Sequence, residues 1–231
     1  MWWQNFRDEF VLNFIKDDRW KYLTEGLYVT LLITAFAVLM GLFLGFIVAM
    51  IRSTYQNTGK LKFLNALSVL YLTVIRGTPV LVQLMIIYYV IFSSGNVNKI
   101  IVAILAFGIN SGAYQAEIFR AGINAVPKGQ FEAGRSLGFN YYQTMGNIIM
   151  PQAFKNILPA LGNEFIVLVK ETSIAGYIAL VDITKAGDII RSRTYSAFMP
   201  LLAVALIYLV IVMGLTYLIN LLERWLRRSA R

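Results

Sequence analysis

Residues 61–92 read LKFLNALSVLYLTVIRGTPVLVQLMIIYYVIF. The stretch is largely apolar until Arg76-Gly77-Thr78-Pro79 interrupts it, and the reading of that interruption decides the fold. As a tight loop it would separate one membrane span from the next; as a break within one helix it leaves a single span. Charge chooses between them, because short cytoplasmic loops are enriched in Lys and Arg. The loop from Arg52 to Lys62, at the start of the stretch, carries Arg52, Lys60 and Lys62 with no acid among them, and Arg224, Arg227, Arg228 and Arg231 stand at the far end of the chain with Glu223. Both places are expected on the cytoplasmic side, so an even number of spans must separate them.

Upstream, residues 26–51 are uncharged, long enough to cross a hydrocarbon core of about 30 Å, and carry Gly41 and Gly45 at a spacing that suits close helix packing. Downstream, further spans are expected near 100–119, 159–180 and 200–222. Counting 61–92 as one broken helix satisfies the charge rule. The chain then reads as an all-α membrane protein of five transmembrane helices, with the N-terminus outside and the C-terminus cytoplasmic. The segment 120–155, with Arg120, Lys128, Arg135 and Lys155 against Glu132, falls on the cytoplasmic side between helices 3 and 4. Ahead of the spans, Trp3, Phe6, Phe10 and Phe14 recur at steps of three and four while Arg7, Asp8, Lys16 and Asp17 take other faces. This predicts an interfacial amphipathic helix over 1–24, followed by one transmembrane domain over 25–231.

Composition agrees. The 231 residues are 58% hydrophobic and 14% charged, far from the balance of a soluble domain. The net charge of +9, from 21 Lys and Arg against 12 Asp and Glu, lies beside apolar runs and reads as topology signal and contact with membrane lipid rather than nucleic-acid binding. Cys and His are both absent, which removes thiolate nucleophiles, disulfides, Ser-His triads and the common zinc sites. The start, Met1-Trp2-Trp3-Gln4, has no basic n-region, and no cleaved signal peptide is expected.

Between helices 3 and 4 stands Glu132-Ala133-Gly134-Arg135-Ser136-Leu137-Gly138, with Ile148-Ile149-Met150-Pro151 nine residues further on. This resembles the cytoplasmic EAA loop of binding-protein-dependent ABC importer permeases, Gly134 standing for the second Ala and Met150 for Leu. Arg76-Gly77-Thr78-Pro79-Val80, the run 113–122 (AYQAEIFRAG) and Val126-Pro127-Lys128-Gly129-Gln130 are similar to the polar amino-acid branch, which includes histidine, arginine and glutamine permeases. The resemblance covers roughly 20–225. It implies coupling of this EAA-type loop, 128–155, to a separate ATPase through Glu132, Ala133, Gly134, Arg135, Gly138 and Pro151. In residue terms the loop needs a short helix starting near Glu132, a sharp turn permitted by Gly138 and a second amphipathic helix carrying Phe139, Tyr142 and Met145. Pro151 and Pro159 are expected to limit helical continuity toward helix 4. No phosphate-binding G-x-x-x-x-G-K-[ST] loop occurs, so the chain is expected to hold no cofactor and perform no chemistry. The resemblance assigns ATP and Mg to two ATPase subunits. It further implies a second permease copy, identical or homologous, an extracytoplasmic amino-acid-binding protein, uptake as the direction, and a bacterial cytoplasmic membrane.

Ionisable groups inside a bilayer are costly and are the default pathway candidates. Glu164 and Glu171 share one face of helix 4, with Asn163 and Lys170 on a neighbouring face. Glu164 suits the cationic end of a polar or basic amino acid, and Asn163 would add hydrogen bonds; Lys170 and Glu171 serve equally as structural partners. Arg76, beside a helix break, suits a substrate carboxylate or an anchoring role against carbonyls or Glu117. Asn110, Ser111, Gln115 and Glu117 make helix 3 polar, and Glu117 is placed to pair with Arg120. Tyr28, Thr30 and Thr34 carry no firm assignment. The alternative of another class is an ion-coupled secondary transporter or channel using Glu164, Glu171 and Lys170, for which no inverted repeat is visible.

Overall fold

The structure, a computed structural model, describes residues 2–93 and 97–228, with the backbone alone at 2–4 and 227–228. The side chains of Trp3, Arg227 and Arg228, and all of Arg231, used in the spacing and charge arguments, lie outside the described residues. Among the described residues the regular structure is helical: α1 (Trp2–Phe10), α2 (Trp20–Thr58), α3 (Lys62–Gly77), α4 (Val80–Ile86), α5 (Lys99–Asn124), α6 (Lys128–Ser136), α7 (Tyr141–Thr144), α8 (Met150–Glu171), α9 (Ile183–Thr194) and α10 (Phe198–Arg228). Wider π turns occupy Val11–Ile15, Ile87–Ile91 and Met145–Ile149, and tighter 3-10 turns occupy Lys16–Asp18 and Thr172–Ile178.

The break that decides the topology is where the sequence places it. Proline has no N–H to donate and disfavours helical backbone in the residue before it. Thr78 accordingly lies extended at φ −123°, ψ 148°, and the chain bends by 107° between Lys62–Gly77 and Val80–Ile91. Trp20–Thr58, Lys99–Asn124 and Phe198–Leu226 are long and apolar enough to cross a membrane, and the bent pair adds a fourth candidate if its halves act as one span. The stretch expected at 159–180 differs in its limits. Its helix starts at Met150, runs through Pro159 to Glu171 and gives way to the 3-10 turn. It carries Lys155, Glu164, Lys170 and Glu171 and falls outside that set of candidates. Pro159 therefore does not end the helix. Pro151 sits in the first turn of α8, directly after the π turn, whose wider winding leaves room for a ring that a regular helix crowds.

The N-terminal stretch is segmented rather than one helix. Asp17 and Asp18 take positive φ of 56° and 52°, a region Asp tolerates better than bulkier residues, and α2 has begun by Trp20. Phe14 is buried while Phe6 and Phe10 stay exposed.

The residues form two compact groups, each drawn from three stretches of chain. The first (1–37, 80–107, 166–215) has a core of Phe14, Leu23, Ile183, Ala186, Ile190, Met199 and Val204. Within it, Asp182 caps α9 by accepting the Thr184 and Lys185 N–H groups, each at 3.0 Å. The second group (38–79, 108–165, 216–231) has a core of Ala49, Phe119, Ile123, Val126, Met145, Ile149, Met150, Ala153 and Ile157. There α2 meets α5 at the paired glycines. A Cβ on Gly41 would stand 2.6 Å from Gln115 Nε2, and one on Gly45 2.9 Å from the Ala116 nitrogen. The GxxxG pair thus serves close packing, as its spacing predicts.

Candidate functional site

The polar residues of α5 engage one residue of α8 in a single chain of hydrogen bonds. Ser111 and Gln115, one helical turn apart, share a face of α5. Gln115 Nε2 donates to Ser111 Oγ at 2.8 Å and toward the Val38 carbonyl at 3.4 Å, and Ser111 Oγ donates to Glu164 Oε1 at 3.0 Å. The absent side chain at Gly41 makes room for the Gln115 amide. Gln115 is fully buried and its Oε1 has no hydrogen-bond partner. An orphaned buried acceptor costs about 1–3 kcal/mol, and here it belongs to the side chain that orders the Ser111–Glu164 contact. Asn110 is buried on the same helix, and Asn163 is exposed beside Glu164. Lys170, exposed, and Glu171, half-buried, close α8 in the first group.

Glu117 holds a second cluster. It accepts Arg52 Nη1 at 3.0 Å and Arg120 through both Nη2 at 2.6 Å and Nε at 3.0 Å. The expected partner Arg120 is present. Arg52, entered in the sequence only as a topology charge, is the partner that spacing along the chain could not reveal, being 65 residues away. Arg76 lies over the Tyr114 ring, 5.5 Å from its centroid. Among the described residues no carboxylate lies within salt-bridge distance of it, so anchoring to Glu117 by direct contact is absent.

The segment between α5 and α8 folds as a helical hairpin. Its first helix starts at Lys128, ahead of the expected Glu132. The turn closes with the Gly138 N–H on the Arg135 carbonyl at 2.9 Å and the Phe139 N–H on the Gly134 carbonyl at 3.0 Å, with Gly138 at φ +80°. This is the Schellman arrangement, in which glycine takes the left-handed position at little steric cost. The second helix opens with a capping box: the Gln143 N–H donates to Asn140 Oδ1 at 3.0 Å and the Asn140 N–H to Gln143 Oε1 at 2.9 Å. The Asn-x-x-Gln spacing carries that signal in the sequence. Gly134 is buried, and a Cβ there would stand 2.6 Å from Thr144 Cγ2. Tyr141 shares a 3.1 Å hydrogen bond with Ser53 of α2. Met145 packs inward while Tyr142 and Leu137 stay exposed at 59% and 71%, and Glu132, Ala133, Arg135 and Pro151 are also exposed. The hairpin is thus pinned along one side and open along the other.

The profile of the binding-protein-dependent transport system inner membrane component family matches residues 41–228. The arginine transport system permease protein of Bacillus subtilis is 38% identical over 211 residues, covering 90% of this chain and 94% of that protein. A Rickettsia bellii protein provisionally named a glutamine transport system permease is 37% identical over 213 residues, covering 88% and 92%. Among solved structures, an amino acid ABC transporter crystallised with histidines superposes with a TM-score of 0.82 at 43% identity, covering 88% of this chain and 94% of that one. An inward-facing methionine ABC transporter, at 18% identity, shares the fold with a TM-score of 0.77.

Proposed function

Because the chain belongs to the family of binding-protein-dependent transport system inner membrane components, we propose that it is the permease subunit of an ATP-driven importer of polar amino acids in a bacterial cytoplasmic membrane. Relatives named for arginine and glutamine transport support the substrate class. The working assembly would contain two ATPase subunits, which bind ATP and Mg, a second permease copy, and an extracytoplasmic binding protein. In this reading five spans leave the N-terminus outside and the C-terminus inside, with residues 1–24 lying at the membrane interface.

The observation that carries the coupling is the pinned hairpin. Gly134 against Thr144 closes the two arms of the hairpin on each other, and Tyr141 against Ser53, with Met145 and Ile149 in the core, ties Lys128–Ile149 to the body of its own group. A push on the open side carrying Glu132, Arg135, Leu137 and Tyr142 would be passed on rather than absorbed by bending. For substrate, the Glu164 carboxylate and the nearby Gln115 amide oxygen favour the cationic end of the cargo, with Asn163 beside them and Asn110 as further lining. Arg76 is placed for an anionic group.

The test is uptake and ATPase activity in proteoliposomes with the partner ATPase and binding protein, titrating arginine, histidine and glutamine. Gly138→Asp should assemble yet lose stimulated hydrolysis and uptake. Glu164→Gln should lower uptake about tenfold or more, since a hydrogen bond to a charged group contributes roughly 1.5–3 kcal/mol. Wild-type uptake that proceeds without the ATPase would sink the proposal.

A further inference from the structure

We propose that the start of α8 and the end of α10 hold a second amino-acid site, which takes a free zwitterion from the cytosol beside the hairpin. A cavity of about 570 Å³ lies wholly within the second group and is lined by Pro127, Gln152, Lys155, Asn156, Glu223 and Leu226, among others. Small-ligand sites commonly enclose about 300–1,000 Å³. None of these residues lines the proposed transport path. The inference rests on the five-span reading, in which the α5–α6 connection, the start of α8 and the end of α10 all face the cytoplasm.

The lining follows helical spacing. Gln152, Lys155, Asn156 and Pro159 lie on one face of α8, and Glu223 and Leu226 share a face of α10. The cavity thus has one cation from one helix and one carboxylate from another. Gln152 and Asn156 add carboxamides, which both donate and accept, and the buried Val126 and Leu226 add apolar surface. A ligand carrying a carboxylate, an ammonium and a short side chain meets all of these. A simple anion or cation would match one charge and be repelled by the other. Lys155 and Glu223 also interact within the chain, so the ligand exchanges partners and binds weakly, as a sensor of accumulated product must.

Gln152 ties the cavity to the hairpin. Its Nε2 donates to Gln130 Oε1 of α6 at 3.3 Å and to the Ile148 carbonyl at 2.8 Å. Pro127 opens α6, and its carbonyl accepts the Gln130 N–H at 2.9 Å. A ligand that engages Gln152 therefore acts on the helix through which the ATPase is proposed to push, and accumulated amino acid slows further uptake.

The site is tested without ATPase or binding protein. The full-length chain, purified in detergent, is titrated by calorimetry with glutamine, with N-acetylglutamine, which lacks the ammonium, and with glutaminamide, which lacks the α-carboxylate. Glutamine should bind about tenfold or more tighter than either derivative, the effect of one lost hydrogen bond to a charged group. Lys155→Gln should erase the discrimination against glutaminamide and Glu223→Gln that against N-acetylglutamine, as a double-mutant cycle requires of contacting groups, while Lys155→Arg keeps both. Discrimination unchanged in Lys155→Gln and Glu223→Gln would overturn the site; binding lost in Glu164→Gln alone would place the ligand in the transport path and overturn it too. In proteoliposomes with the partner ATPase and binding protein, glutamine loaded inside should slow uptake by wild type and not by Lys155→Gln. Equal slowing of the two would overturn the feedback, whereas a wild type with no uptake at all would count against the importer reading and leave the calorimetry to decide the site.

Discussion

At Gly134 the decisive atom is one the residue lacks. A Cβ would lie 2.6 Å from Thr144 Cγ2 and 2.7 Å from Thr144 Oγ1, so the departure from Glu-Ala-Ala is bound to a threonine across the hairpin. Gly134→Ala is expected to lower the unfolding midpoint of the purified permease by an overpacking cost of about 1–3 kcal/mol. Thr144→Ala removes both clashing atoms, so the double variant should recover most of that loss; thermal unfolding of the four proteins in the cycle measures it. Asn140→Ala removes the cap on α7 and should cost about 1 kcal/mol, read in the same assay. At this scale the sequence was readable where chemistry is local. Gly138 announced its turn, whereas Arg52–Glu117 and Ser111–Glu164 join residues 65 and 53 positions apart, and no local spacing encodes such a meeting.

Among the elements, α2 and α5 approach through Gly41, Gly45 and Gly112. Gly41→Leu would drive a side chain into the Gln115 amide, and a destabilisation of at least about 1–3 kcal/mol is expected, with uptake lost as the Gln115–Ser111–Glu164 chain is displaced. The polar face of α9 offers a milder, pH-dependent case. Hydrogen bonds from Lys185 and then Arg191 hold the Asp188 carboxyl below its ordinary value of 3.8. A lowered folded pKa means that the stabilisation is complete above the unfolded value and is lost as pH falls through the folded one. Between neutral pH and pH 3, Asp188→Asn should therefore show a smaller fall in unfolding midpoint than wild type, and the difference should shrink in high salt, as exposed pairs are screened. Helix existence was legible from hydropathy, and the α3–α4 break from Pro79. The limits of α8 were not: Pro159 suggested a start, yet the helix runs through it from Met150 and gives way to a 3-10 turn after Glu171.

For the whole molecule, the composition makes topology directly measurable. With no Cys in the chain, any introduced cysteine labels against a silent background. Leu137 and Tyr195 are 71% and 96% exposed. Under the five-span reading, Leu137→Cys should react with an impermeant maleimide only from the cytoplasmic side and Tyr195→Cys only from outside; labelling of both from one face would refute that count. Hydropathy made the membrane class readable, but not the division into two groups, since each draws on three separated stretches. The π turn ahead of Met150 also acts as a phase shifter. By winding one extra residue into a turn, it sets the azimuth of the hairpin about the α8 axis, at about 100° per residue. Deleting one residue within 145–149 should rewind that turn as α-helix and swing Leu137 and Tyr142 to another bearing with their chemistry unchanged. An ATPase that reads the hairpin by direction would then disengage from an otherwise intact contact surface.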